Sequence, residues 1–279
     1  GGVESMSRVP MLADRPTFAM NADTGDAAGF VPIGLAADAV AVRAGVARAE
    51  LDAYGVRSQQ RAAAAPAWES IVPVTGATGA VVDGDEGARP DTTIASLEQL
   101  APLFADDPLW ERVERRLGLT TGVDRGRHTV GTSPQLADGA SALVLASEGW
   151  VAEHGRTPLA RILGWAHAAV RSPGLEATIP ASRKALAMAR VEVSELDLVE
   201  VNESFAVTPI LLQRELGVPW DIVNPNGGAI AVGHPLGASG GILIANALDQ
   251  LRRRGGGRAL VAIPAALGLA SAVVIEVFA

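Results

Sequence analysis

Cysteine is absent from all 279 residues of this chain. That excludes disulfides, thiolate metal sites and any cysteine nucleophile or base supplied by this polypeptide. Positive charge is in deficit: 23 Lys and Arg against 31 Asp and Glu leave a net charge of −8. With no basic stripe either, no nucleic-acid partner is expected. There is no Gly-x-Gly-x-x-Gly dinucleotide loop, no Walker loop and no cluster of residues at metal-ligand spacing. His128, His154 and His167 accordingly read as surface or structural residues, and no metal is expected. The first residues lack the charged-then-apolar pattern of a secretory signal, which makes a cytoplasmic protein the expectation. Only residues 259–275 form an apolar run of membrane length, and Pro264, Gly268 and Ser271 interrupt it. Two buried strands, 259–263 and 271–278, joined by a turn fit it better than a spanning helix, so no membrane partner is expected.

What is present describes a globular protein. Apolar residues make up 48% and charged residues 19%, enough to bury a substantial core as one large domain or two smaller ones. Residues 1–130 are irregular in composition, with Gly/Pro/Asp-rich stretches at 23–29 and 76–90 and alanine-rich helical patterns at 36–47 and 48–65. Residues 131–156 supply a turn, a strand at 140–145 and a polar connection. Residues 157–279 alternate more clearly. Strands are expected at 159–170 and 196–202, and helices at 181–190, 203–216 (ending at Gly217) and 238–251, followed by the two terminal strands. Strand–helix alternation with apolar strands argues an α/β layered sandwich. Arg252 to Arg254 mark a helix C-terminus, where cations favour the helix dipole.

One stretch concentrates the chemistry: Asn224-Pro-Asn-Gly-Gly-Ala-Ile-Ala-Val-Gly-His234-Pro-Leu-Gly-Ala-Ser-Gly240. Gly227, Gly228 and Gly233 let the backbone turn tightly and approach a ligand. Pro235 restricts His234 to extended backbone, and Ser239 reads as the cap of the helix that follows. The stretch therefore presents an imidazole at the mouth of a helix; taken alone, it reads equally as a glycine-rich connection with a satisfied histidine. Asn202 lies just beyond the run Leu196-Asp-Leu-Val-Glu-Val201. The C-terminal end of a buried strand is where α/β folds place ligands, although an asparagine there also serves as an N-cap.

These segments resemble the thiolase family. The His234 stretch is similar to its Asn-x-x-Gly-Gly-Ile/Ala-x-Ala-x-Gly-His-Pro-x-Gly-x-Ser-Gly signature, and Val201-Asn-Glu-Ser-Phe-Ala206 to its Asn-Glu-Ala-Phe-Ala motif. Gly1-Gly-Val-Glu-Ser-Met-Ser7 looks like the segment after the family's first catalytic cysteine, and Asp138-Gly-Ala-Ser-Ala-Leu-Val-Leu145 like its Asp-Gly-Ala-Ala-Ala strand entry. The resemblance implies an αβαβα layered sandwich with the C-terminal half-domain complete at 157–279. It also implies a loop domain covering the coenzyme A site at 1–130. Residues 131–156 would be a remnant of an N-terminal half-domain that is otherwise largely absent.

The resemblance also implies roles. Asn202, through a water, and His234 donate to a thioester oxygen; Glu203 and Gly233 support them, and the Ala266 N–H is an oxyanion donor. Ile33, Ser133, Phe205, Gly237 and Ser239 fall at the acyl-CoA pocket. No cofactor is required beyond coenzyme A or acyl-CoA as substrate or ligand. The departures are large. The family's second cysteine, a general base, aligns with Pro264, which has no titratable group. Where the family keeps three glycines this chain has Ala266, Leu267 and Gly268, and Ser133 stands beside Pro134, which replaces a serine. Three readings follow: a thiolase-like acyl-CoA binder without condensation chemistry; an acyltransferase, lyase or hydrolase subunit whose nucleophile comes from a companion chain; or a fragment of a longer thiolase-like protein. Homo-oligomers or a companion chain are the expected partners.

Overall fold

The computed structural model describes residues 1–120 and 125–279. The first part runs β1 (Gly2–Ser5), α1 (Thr17–Met20), α2 (Ala22–Ala28), α3 (Ile33–Arg43), α4 (Arg48–Ala64), β2 (Val74–Thr75), β3 (Val81–Val82), α5 (Ile94–Glu98) and α6 (Trp110–Leu117). The second runs β4 (Asp138–Ser141), α7 (Glu148–Glu153), β5 (Ala160–Ala169), α8 (Thr178–Ala189), β6 (Leu198–Val201), α9 (Val207–Leu216), α10 (Ala229–Val232), α11 (Ser239–Arg253), β7 (Gly257–Ala265) and β8 (Leu269–Val277).

The main sheet has the order β5-β8-β7-β6, antiparallel except for the parallel β6–β7 pair. Side chains alternate between its faces with the period of two that strands impose. Val199 and Val201 of β6, Leu260 and Ala262 of β7, and Ala270, Ala272 and Val274 of β8 join a core with residues of α3, α4, α8 and α9. The intervening Leu198, Ala259, Val261, Ile275 and Val277 pack on the opposite face against Leu243, Ala247 and Leu251 of α11. Those α11 positions are spaced i, i+4, i+8, one stripe of a helix. The result is a helix–sheet–helix sandwich. A third cluster, around buried Trp110 and Leu35, joins α3 to α6.

Most expected elements are found within a few residues. Three differ. The helix expected from residue 203 starts at Val207, because Asn202 and Glu203 are drawn into hydrogen bonds that a helical start would break. The strand expected at 140–145 is found at Asp138–Ser141, with Ser141 paired to Gly2 of β1. Val144 and Leu145, beyond it, stand 97% and 75% exposed. Ser239 is the first residue of α11 rather than its cap; Ala238 occupies the cap position without a side-chain bond. The terminal apolar run does form two strands, folded back at Ala266–Gly268 through Leu267 in the left-handed region at φ 64°. Among the described residues no single helix is long and apolar enough to cross a membrane; the bent pair α2–α3 passes by length and composition only.

Candidate active site

The strand period puts Leu198, Glu200 and Asn202 on the α11 side of β6. Asn202 therefore leaves the sheet facing the N-terminus of α11, and its N–H donates to the Ala262 carbonyl of β7 (2.9 Å). His234 arrives there on the loop between α10 and α11. Gly233, at φ 95°, sets that path: a Cβ on it would lie 2.6 Å from the Ala137 Cβ. The next N–H, from His234, donates to the Gln135 carbonyl.

The side chains then lock together. His234 Nδ1 lies 2.6 Å from the Ser239 hydroxyl, which itself donates to the Pro235 carbonyl at 2.9 Å. A serine hydroxyl carries one proton. With that proton on Pro235, Ser239 must accept from His234 Nδ1–H. His234 Nε2 is thereby left with its lone pair, 3.3 Å from Asn202 Nδ2. The other Nδ2 hydrogen of Asn202 reaches the Ser204 hydroxyl (2.8 Å). Asn202 is 2% exposed and His234 half-buried. Burial lowers the imidazole to about 4, so the ring is neutral at pH 7. In this arrangement Nδ1 is the anchored donor, and Nε2 faces the Asn202 amide.

Glu203 does not enter this cleft. Its buried carboxylate accepts from the Tyr54 hydroxyl (2.7 Å), the Ser58 hydroxyl (2.7 Å), the Ile230 N–H (2.9 Å) and Asn224 Nδ2 (3.2 Å). Burial raises its pKa against the pull of those four donors. Asn224 also clasps the backbone of Val201 through both N–H and C=O. Residues 201–203, the glycine loop and α4 are thereby tied into one unit. Close approach of loop to helix requires Gly227: a Cβ there would come within 2.5 Å of the Ser58 carbonyl oxygen.

The remaining expected residues have other partners. Pro264 is buried on β7, two residues past Ala262 and paired with Ala270. Ala266, Leu267 and Ile33 line a small cleft with Val31, Ala36 and the 172–175 segment. Phe205 packs edge-on against Phe104 and His128. The Ser133 hydroxyl donates to the Thr129 carbonyl (2.8 Å), and Gly237 N–H donates to the Glu4 carboxylate (3.1 Å). Of the residues expected at the site, Asn202 and Ser239 both bond to His234, and Glu203 lies apart from them, bonded to α4, Asn224 and the Ile230 N–H. His128 is structural, fully buried and bonded to Asp38. His154 stacks on Trp150, and exposed His167 bonds to Ser271. No group of three or more potential metal ligands occurs among the described residues. Tyr54 and Ser58 escaped the sequence reading, which quoted Asn224 and Ser204 within motifs but gave them no role. The i, i+4 spacing of the only tyrosine and Ser58 on one helical face was the available signal.

Comparison with known proteins adds the following. A model described as "Thiolase, N-terminal domain" matches residues 1–108, and one described as "Thiolase, C-terminal domain" matches 156–277. The chain is 39% identical to a beta-ketoadipyl-CoA thiolase of Pseudomonas aeruginosa over 99% of its own length and 71% of that protein. It is 34% identical to human mitochondrial 3-ketoacyl-CoA thiolase, over 99% and 70%. The solved structure of that human enzyme in complex with CoA superposes with a TM-score of 0.81 at 33% identity, covering 99% of this chain and 69% of that one. The expectation of a largely absent N-terminal half-domain is not supported, since residues 1–108 carry the N-terminal match.

Proposed function

The chain belongs to the thiolase family, and from that premise we propose that it binds acyl-CoA thioesters with Asn202 and His234 at the thioester carbonyl. Residues 1–279 contain no cysteine for thiolysis or Claisen condensation. One observation carries the binding reading: a buried amide and a neutral imidazole locked 3.3 Å apart. Pro264, at the position the resemblance assigns to the family's base, has nothing to accept a proton. The acyl chain would run toward Ile33 and Phe205, past Ser133 and Gly237, with the Ala266 N–H as a further oxyanion donor and coenzyme A covered by residues 1–130. A relative solved with CoA bound supports the choice of ligand. Further parts of the proposal are a five-layered αβαβα sandwich and a cytoplasmic setting.

A second reading, a companion chain supplying the nucleophile, draws on one observation. Val3, Leu136, Val144 and Leu145, all exposed, are grouped around the short β1–β4 ladder and suit cover by another polypeptide or a second copy of this one. A thiolase-like fragment of a longer protein accounts for the same exposure.

Calorimetry with acetoacetyl-CoA and with free CoA tests the main reading. Wild type should bind both, and Asn202→Ala should weaken the thioester about tenfold or more, the worth of one charge-sharing hydrogen bond, while CoA affinity holds. Equal loss for both ligands would place the amide away from the thioester.

A further inference from the structure

Behind Phe205, whose ring meets His128 edge-on, α3, α4 and the segment at 128–131 come together around buried polar side chains. Asp38 Oδ1, on α3, accepts the His128 main-chain N–H (2.8 Å) and lies 2.7 Å from His128 Nδ1. On α4, Arg48 Nε donates to Asp52 Oδ2 (2.7 Å), and Arg48 Nη2 donates to the Leu97 and Leu100 carbonyls at the end of α5 (2.7 and 3.1 Å). Asp38, Asp52 and His128 are each 0% exposed. Yet His128 Nε2 and Asp52 Oδ1 are buried with no hydrogen-bond partner among the described residues. The backbone sets these two residues opposite each other. A Cβ on Gly55 would lie 2.4 Å from the Gly131 carbonyl oxygen. Asp52 precedes Gly55 by one turn on the same face of α4, as His128 precedes Gly131 by three residues. Burial raises the Asp52 pKa and Arg48 lowers it, and Glu98 and His128 are near enough to act on it as well.

We propose that one water molecule is bound between His128 Nε2 and Asp52 Oδ1, completing a polar chain that runs from α3 through His128 and α4 to the end of α5. An orphaned buried polar atom carries its full desolvation penalty, which outweighs the entropy lost in holding one water. Protein interiors satisfy such atoms with ordered water. The chemistry selects water over other small ligands. An ionised carboxylate only accepts, so the ligand must donate to Asp52 Oδ1. The imidazole Nε2 accepts in the neutral ring and donates in the charged one, and water can answer either. An anion would meet the Asp38 and Asp52 carboxyl groups. A metal ion would find no group of three or more potential ligands among the described residues. Asp38 Oδ2 also lacks a partner, but its carboxyl sits on the Nδ1 side of the ring and cannot be the second anchor. With the water in place, short helices of the first part of the chain are joined by a continuous polar path as well as by their apolar clusters.

A high-resolution crystal structure of the full chain reads the site directly. It should show one water-sized density peak within about 2.6–3.2 Å of both His128 Nε2 and Asp52 Oδ1. In solution, water–protein NOE spectra should show cross-peaks between the His128 ring protons flanking Nε2 and a water that stays bound far longer than surface water. Asp52→Leu, checked for folding by circular dichroism, should abolish those cross-peaks and leave the His128 Nδ1–H resonance at Asp38 in place. A merely loosened fold would lose both signals. Direct contact between Nε2 and Oδ1, density for no molecule between them, or a peak with the coordination of a metal ion overturns the proposal. Should the variant fail to fold, the two wild-type measurements decide alone. None of these readouts involves acyl-CoA, so they stand apart from the function proposed above.

Discussion

His234 owes its character to its surroundings. Burial holds the ring down at about 4, against an unperturbed value near 6.5. The folded state therefore binds fewer protons than the unfolded chain between those limits. Stability should be full above pH 6.5 and fall by about 1.4 kcal/mol per pH unit as pH drops toward 4. An NMR titration of the His234 ring should show a midpoint near 4, and one near 6.5 would mean the ring is solvated. Gly233 makes a second test at this scale. Its φ of 95° and the 2.6 Å approach of a built Cβ to Ala137 leave alanine no relaxed position. Gly233→Ala should destabilise the fold by about 1–3 kcal/mol and displace His234, measured by chemical denaturation and by acyl-CoA affinity together. Unchanged stability would show that the loop takes another path.

At the scale of elements, β6 and the segment just past its end carry two buried carboxyl groups, Glu200 and Glu203, with different environments. Glu200 faces α11 and accepts from Gln250 Nε2 at 2.6 Å, while Gln250 Oε1 is buried without a partner. Desolvation lifts Glu200 to about 8. A protonated Glu200 can return a hydrogen bond to that oxygen, closing an acid–amide pair between β6 and α11. Here the folded state binds the extra proton, so the contribution is present below the unfolded pKa of 4.5 and is lost as pH rises through about 8. Glu200→Gln should flatten this alkaline slope in stability measured from pH 5 to 9; an unchanged slope would remove Glu200 as its source. Glu203, three residues on and past the end of the strand, faces α4 instead. Tyr54→Phe removes one of its four donors and should cost about 1–3 kcal/mol, read by urea unfolding. The sequence made β6, α11 and the His234 loop legible because strand and helix periods differ and because glycine and proline mark turns. It could not show that α4 reaches Glu203, since Tyr54 and Glu203 are 149 residues apart. Nor could it assign the His234 tautomer, which depends on where a single serine proton goes.

Across the whole molecule, the C-terminal sandwich was readable from apolar strands alternating with helices, and it holds the candidate site, with Asn202 and His234, between β6 and α11. The N-terminal part was less so. Its short elements have few partners among themselves, and residues 142–145 carry a strand's apolar pattern without a strand to pair with. That pattern leaves Val144, Leu145 and Leu136 in solvent, an apolar group of the kind that can mark a contact surface. Sedimentation velocity should therefore show concentration-dependent association, and Leu145→Asp should reduce it without loss of helix content. A monodisperse monomer at all concentrations would argue against a partner for this face. The central claim is that Asn202, positioned beside the Nδ1-protonated His234, meets a thioester. Long-range proton–nitrogen NMR of nitrogen-labelled histidine reads this most directly. The account predicts a protonated Nδ1 and a bare Nε2 in the free protein, with the Nε2 resonance moving on addition of acyl-CoA but not of CoA alone. An Nε2-protonated ring, or a resonance that ignores the thioester, would contradict it.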